Sequence, residues 1–217
     1  MLAYTPRMII SNEVMAFWRS FREKPGSDHM ATPVSLQFLK EYCAATKPAS
    51  ILELGAGIGT MTTFLEEYGV DAYEDIPFCL GELAKNAPRA NVIKSYETLP
   101  PKRDYDLVII DGGDGGKNGG YKQATSVLLS YVSPRAVYVE GVRTPQRIEV
   151  LWSLCGRRAI KMRRVKGQAI DGTYYKGGTI FFTPPSQPNG LAQIRGAASL
   201  IYNLSRLRFE LLLRAVR

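Results

Sequence analysis

The segment ILELGAGIGT, residues 51–60, constrains this chain more than any other. An apolar run closes on Glu53 and Leu54, breaks into glycines at three alternate positions, and leads into a helix from Thr60. A strand that meets a helix through so tight a turn is the opening unit of a doubly wound α/β sheet. Such sheets receive nucleotide-like ligands at that turn. Gly55 and Gly57 have no Cβ and let a ligand approach the backbone. Ala56 and Gly59 complete the expected binding turn.

The flanking pattern agrees with this start. From Lys47 onward strand and helix signals alternate. Strands are expected at 50–54, 71–74, 91–94, 107–111 and 136–140, and helices at 60–68, 79–86, 120–131 and 145–154. LVII and AVYV are unbroken apolar runs, as strands covered on both faces require. The alternation predicts a parallel sheet with right-handed crossovers. Residues 158–166 and 177–183 read as neighbouring strands joined by a Gly- and Tyr-containing stretch, so the sheet closes with an antiparallel pair.

Both ends of the chain read as helical. Ser11 or Asn12 caps a helix carrying Val14, Trp18 and Phe21, and Thr32-Pro33 opens another that runs to Ala45 and buries Leu36, Leu39 and Cys43. PPSQPNG is a break, after which 191–216 forms one amphipathic helix with a stripe of Leu200, Leu204, Leu207 and Leu211. The 217 residues suit one domain. Its expected organisation is an N-terminal helical cap over 1–46, an α/β core over 47–184, and a linker with a basic amphipathic helix over 185–217.

The glycine spacing narrows the ligand. Dinucleotide sites read G-x-G-x-x-G and set a pyrophosphate on the helix N-terminus. Here Gly55, Gly57 and Gly59 read G-x-G-x-G behind Glu53, a carboxylate that would repel a pyrophosphate. S-adenosylmethionine carries an ammonium, which an acid at a strand end suits, and a carboxylate, which exposed amides suit. Glu74 ends the second strand, about 20 residues on, where a carboxylate can accept both ribose hydroxyls. Asp75 takes that place if the register moves by one. After the third strand, Tyr96 is expected against the adenine face and Glu97 at its edge. Asp111 closes the fourth strand of DYDLVIIDGGD, where open α/β sheets hold ligand, and the polar glycine loop behind it suits a lid.

ILELGAGIG, Glu74 and LVIIDGG in this order resemble the class I S-adenosylmethionine-dependent methyltransferases, over residues 47–183. The resemblance implies a seven-stranded, mostly parallel sheet with an antiparallel last strand. It also implies a methyl donor across the first strands and an acceptor over the fourth and fifth. Where enzymes that methylate base amines carry Asp/Asn-Pro-Pro-Tyr/Phe, this chain has Asp111-Gly112-Gly113-Asp114, which disfavours that chemistry. No cysteine stands at the exit of that strand, against a covalent cytosine mechanism. Small-molecule O-methyltransferases are more similar. Asp111 matches their first divalent-metal ligand, but Glu140-Gly141 stands where their Asp-Asn pair would be, so that metal site is incomplete.

Transfer to oxygen needs a proton acceptor, and Asp111, Asp114 and Glu140 are candidates, with Asp111 best placed. A contact to cofactor or loop without proton transfer is the competing role for Asp111. His29, the only histidine, lies in a loop that either covers the site or is simply solvated. Lys117 reads as a surface lysine or an anion contact. The acceptor is expected to be a small or carbohydrate-like hydroxyl compound. Three rivals stand beside this: an RNA methyltransferase, a donor-binding module without catalysis, and an NAD-dependent oxidoreductase.

A net charge of +8 fits nucleic acid, anionic lipid or an acidic substrate as partner, and equally fits plain solubility. RRAIKMRRVK, residues 157–166, reads as a phosphate contact or as a charged edge strand. The C-terminal helix packs on the sheet or another subunit, or lies on a membrane surface. Three cysteines without metal spacing, no signal-peptide pattern and no bilayer-length apolar run point to a cytoplasmic protein.

Overall fold

A computed structural model describes residues 8–98, 100–102, 104–112, 134–141, 144–154, 161–183 and 190–215. The strands are β1 (Met8–Ile10), β2 (Ile51–Leu54), β3 (Val70–Tyr73), β4 (Asn91–Ile93), β5 (Leu107–Ile110), β6 (Ala136–Val139), β7 (Lys161–Ala169) and β8 (Tyr174–Phe182). They form one sheet in the order β1-β7-β8-β6-β5-β2-β3-β4. Strand β8 runs antiparallel to both its neighbours, and every other pairing is parallel. The helices are α1 (Asn12–Arg22), α2 (Pro33–Thr46), α3 (Thr60–Phe64), α4 (Pro77–Asn86), α5 (Thr144–Leu154) and α6 (Gly190–Ala215).

Side-chain alternation divides the core into two layers. Ile51, Ala72, Leu107, Ile109 and Tyr138 point to one face and pack against Val14, Leu36, Leu39, Met61 and Leu83 of the first four helices. Leu52, Leu54, Val108, Ile110, Val137 and Val139 point to the other and pack against Val150, Leu151, Leu204 and Leu207 of α5 and α6. Each leucine so buried contributes about 1.5–3 kcal/mol of transfer free energy. The continuous apolar strands of the sequence are those covered on both sides.

The local starts follow from short signals. Ser11 accepts the Val14 amide at the head of α1, and Thr32-Pro33 opens α2. Pro77 opens α4 two residues ahead of the expected start. The helix expected over 60–68 stops at Phe64 and continues as a 3-10 turn, Glu66–Tyr68. The helix expected over 120–131 lies outside the described residues.

The strand count is corrected from seven to eight. Three residues are too few to show a period, yet β1 pairs with β7 in parallel, Met8 opposite Gly167. Gly167 makes the approach possible, since a Cβ there would fall 2.6 Å from the Met8 carbonyl oxygen. The closing hairpin is also shifted. Tyr174 and Tyr175 belong to β8, and the turn is shorter, with Gly172 in the left-handed region at φ +87°. Gly177 lies within β8, where a Cβ would meet the Ser35 and Val34 side chains of α2.

Candidate active site

The register aligns the strand ends. Leu54 lies opposite Tyr73 on one side and Ile110 on the other, and Ile110 lies opposite Val139. The next residues along this edge are therefore Gly55, Glu74, Asp111 and Glu140. Three carboxylates and the glycine turn share one rim of the sheet. Glu53 lies one residue inside it.

The three glycines answer to three different demands. Gly55 has φ +84°, and a Cβ on it would fall 2.2 Å from the Gly112 Cα. Its space is taken by the exit of β5, so what it admits is backbone. Gly59, at φ +89°, heads α3 and lets Leu83 of α4 close on it, with 2.8 Å from a Cβ to Leu83 Cδ1. Gly57, at φ +57°, has nothing among the described residues within 4 Å of its Cβ position. It is the glycine of this turn that faces open space. Ala56 is buried in the core, and its amide and that of Gly55 donate to the Tyr73 carbonyl at 2.9 and 3.1 Å.

Glu53 is fully buried. Its Oε2 accepts the Thr62 hydroxyl at 2.6 Å, and its Oε1 has no partner among the described residues. Burial pushes its carboxyl up to about 8; the Thr62 hydrogen bond opposes that rise and the charge of Glu74 adds to it. A buried oxygen without a partner is costly unless a ligand supplies a donor. Glu74, also buried, folds back over the turn. Its Oε2 accepts the Gly57 amide at 2.6 Å, and its Oε1 accepts the Asp75 and Ile76 amides at 3.0 and 2.9 Å. Burial raises its carboxyl and those three amides counter it. A carboxylate offers about four acceptor positions. Three are taken, so gripping both hydroxyls of a ribose requires the Gly57 amide to let go.

The rim beside Glu74 is apolar. Asp75 is exposed, and so are Ile76 and Phe78 at the start of α4. Gly26, before the 3-10 turn Ser27–His29, packs against Phe78 and Ile58, where a Cβ would come within 2.6 and 2.9 Å. The loop carrying His29 thus reaches the glycine turn. Tyr96 is half-buried and stacks on Tyr73, ring centroids 5.1 Å apart. Its hydroxyl approaches Gly112, 3.3 Å from a Cβ there. Burial, then the charges of Glu74, Asp75 and Glu53, push its phenol up. One ring face of Tyr96 is therefore taken by Tyr73. Glu97 is exposed.

Asp111 is half-buried at the exit of β5. Its amide and that of Gly112 donate to the Leu54 carbonyl at 3.0 and 2.9 Å. The Gly112 carbonyl accepts Gln146 Nε2 of α5 at 2.9 Å. Buried Arg147 donates to the Gly141 carbonyl. Gln146, Arg147 and Thr62 brace the rim, and no sequence signal marked them. Their types are common, and only the register of α3 and α5 brings them here.

Glu140 is buried. Its Oε1 faces the Thr32 amide and hydroxyl at 3.3 and 3.4 Å, and its Oε2 accepts the Tyr138 hydroxyl at 2.9 Å. That hydroxyl lies 2.7 Å from Ser35 Oγ and accepts the Gly178 amide at 2.8 Å. Glu140 thus ties α2 to the sheet. Of the three carboxylates proposed from sequence as proton acceptors, Glu140 is committed to α2, Asp111 stands half-buried on the rim, and Asp114 lies outside the described residues, as does Lys117. Among the described residues no group of three or more His, Cys, Asp or Glu could hold a metal ion.

With strand order, glycine turn and acidic rim in place, the architecture is the fold of the class I S-adenosylmethionine-dependent methyltransferases. Among solved structures with this fold is an O-methyltransferase of Bacillus cereus in complex with SAH, at 15% identity and a TM-score of 0.57, covering 79% of this chain and 89% of that one. Another is the O-methyltransferase TomG of Streptomyces achromogenes in complex with SAM, at 17% identity and 0.54, covering 81% and 91%. An SAH-bound methyltransferase of Podospora anserina is similar at 14% identity and 0.53, covering 83% and 91%. No family model matches the sequence, and no curated protein aligns with it significantly.

Proposed function

We propose that this chain is an S-adenosylmethionine-dependent methyltransferase that acts on a hydroxyl oxygen of a small or carbohydrate-like acceptor. The observation that carries this is Glu53. A fully buried carboxyl with one oxygen lacking a partner among the described residues, on the strand that leads into the glycine turn, suits a ligand with an ammonium group. The S-adenosylmethionine-bound and S-adenosylhomocysteine-bound neighbours of the same fold support it.

The residues fit that donor. Glu53 would hold its ammonium, and the amide of Gly57, once released by Glu74, would be available to its carboxylate. Glu74 would take a ribose hydroxyl, and the exposed Ile76 with Tyr96 would bound the adenine. When bound, the donor supplies a methyl group on a sulfonium, which leaves by in-line displacement with a neutral leaving group. Asp111 then accepts the proton of the attacking hydroxyl at its carboxylate. The brace from Leu54 and Gln146 keeps that rim in place, which is the main contribution a protein makes to such a transfer.

A thermal-shift comparison tests the reading. S-adenosylhomocysteine is expected to raise the melting temperature, and NAD to leave it unchanged. Stabilisation by NAD alone would reject the proposal. Transfer of labelled methyl to an RNA pool, with none to hydroxyl-bearing small molecules, would select the RNA alternative that the +8 charge favours.

A further inference from the structure

Helix α6 carries two apolar faces. Leu204 and Leu207, with half-buried Leu200, pack with Val150, Leu151 and Leu154 of α5. At 100° per residue, a second set lies roughly 150° round the helix. Ile194, Ile201 and Leu212 are 67%, 66% and 65% exposed, with Tyr202, Phe209 and Leu213 beside them. One buried face is enough to dock a helix on its domain. The second stripe runs about 28 Å at 1.5 Å per residue, with no cover among the described residues. Contiguous exposed apolar surface of this kind marks an interaction site.

The charges around the stripe indicate its partner. Exposed Arg208 borders it on one side and Arg206 on the other. Past Arg206 the cationic surface continues onto the last two strands, where Lys166 and Lys176 lie opposite each other in register, both exposed. Partial desolvation of the Lys166 stem lowers its ammonium most, and the nearby charges of Arg164, Lys176 and Arg206 lower it further. Glu210, the acid at this point, is already shared between Arg164 and Arg206. A second copy pressed on this face would bring together two such clusters and two chains of net charge +8. An anionic lipid surface would neutralise them instead. No helix among the described residues is long and apolar enough to cross a membrane, so contact would be in the plane of the surface.

We propose that α6 is an interfacial docking helix. It lays the stripe from Ile194 to Leu213 into the headgroup boundary of an anionic membrane, and Arg206, Lys166 and Lys176 meet the lipid headgroups. This goes beyond methyl transfer and does not depend on it. The test is flotation of the full chain with vesicles of phosphatidylcholine alone or mixed with phosphatidylglycerol. Binding is expected to the mixed vesicles, weaker by about tenfold or more without the anionic lipid, and falling with salt.

Ile201→Glu with Leu212→Glu, and separately Lys166→Glu with Lys176→Glu, should each lower binding by about tenfold or more. These side chains are exposed, so the circular dichroism and melting temperature should stay as in the parent. Sedimentation should show a monomer. No vesicle binding, or equal binding to neutral vesicles, would overturn the proposal. So would a dimer in solution that Ile201→Glu dissolves, which would assign the face to a second copy. Salt-sensitive binding to an RNA oligonucleotide without vesicle binding would overturn it in favour of nucleic acid.

Discussion

Glu53 sets two demands against each other. It is buried, which favours the neutral acid, yet the proposed hold on the donor's ammonium needs it as a carboxylate. Its carboxyl is raised to about 8, above an unfolded value near 4.5. The folded state therefore holds more protons than the unfolded state between those values, and stability falls as pH rises through that window. Glu53→Gln keeps an acceptor for Thr62 and removes this slope. The variant should be more stable than the parent at pH 8, with the difference vanishing below pH 5, as read from urea midpoints. A bound ammonium would pull the same carboxyl down, so S-adenosylhomocysteine binding at pH 7 should release a proton. Calorimetry in buffers of different ionisation enthalpy measures that release, and none would mean the ammonium is held elsewhere.

Glu74 and Asp111 separate binding from turnover. Glu74→Ala should weaken S-adenosylhomocysteine binding by about 1–3 kcal/mol, the scale of a lost hydrogen bond to a charged group. It also frees the Gly57, Asp75 and Ile76 amides, so a melting curve must accompany the titration. Asp111→Asn should lower turnover and leave donor affinity in place. Residue by residue, the acids were legible because strand ends are where such sheets bind ligands. Partner choice was not. That Glu74 reaches back to the Gly57 amide, and that Glu140 is tied to Thr32, depends on contacts distant in sequence.

At the scale of elements, the glycine turn divides its work between packing at Gly55 and Gly59 and an open position at Gly57. Gly55→Ala puts a methyl 2.2 Å from backbone that cannot yield without moving β5, and it forces a strained φ. It should cost more than about 3 kcal/mol, the range reserved for core overpacking and backbone strain. Gly57→Ala meets open space, so only the left-handed φ is penalised, by about 1–2 kcal/mol. It should fold and instead lose affinity for the donor. Comparing the two by denaturation and titration separates the glycine that joins strands from the one proposed to meet ligand. The spacing predicted the turn but not this division, because all three glycines look alike in sequence. The parallel strands were legible for the opposite reason: LVII and AVYV need no partner to announce burial on both faces. The three-residue β1 and the tyrosines of β8 carry no such period, and tertiary pairing alone places them.

For the whole molecule, the question is what holds the N-terminal elements against the sheet. Apolar packing from Val14, Leu36 and Leu39 supplies affinity without direction. Direction comes from the buried hydroxyl of Tyr138, which meets Ser35 of α2, Glu140 of the rim and the Gly178 amide of β8. Burial and the charge of Glu140 push its phenol up, so it keeps its proton throughout the working range. Tyr138→Phe leaves the Gly178 amide and one Glu140 oxygen without this partner, at a cost of about 1–3 kcal/mol for each buried group left unpaired. The urea midpoint should fall with little change in the slope, since the surface exposed on unfolding stays the same. Ser35→Ala alone should cost less. The double variant should cost less than the sum of the two, because residues in one network couple. Strict additivity would mean that α2 is positioned by packing alone, and that the polar network only fills space between the helix and the strand ends.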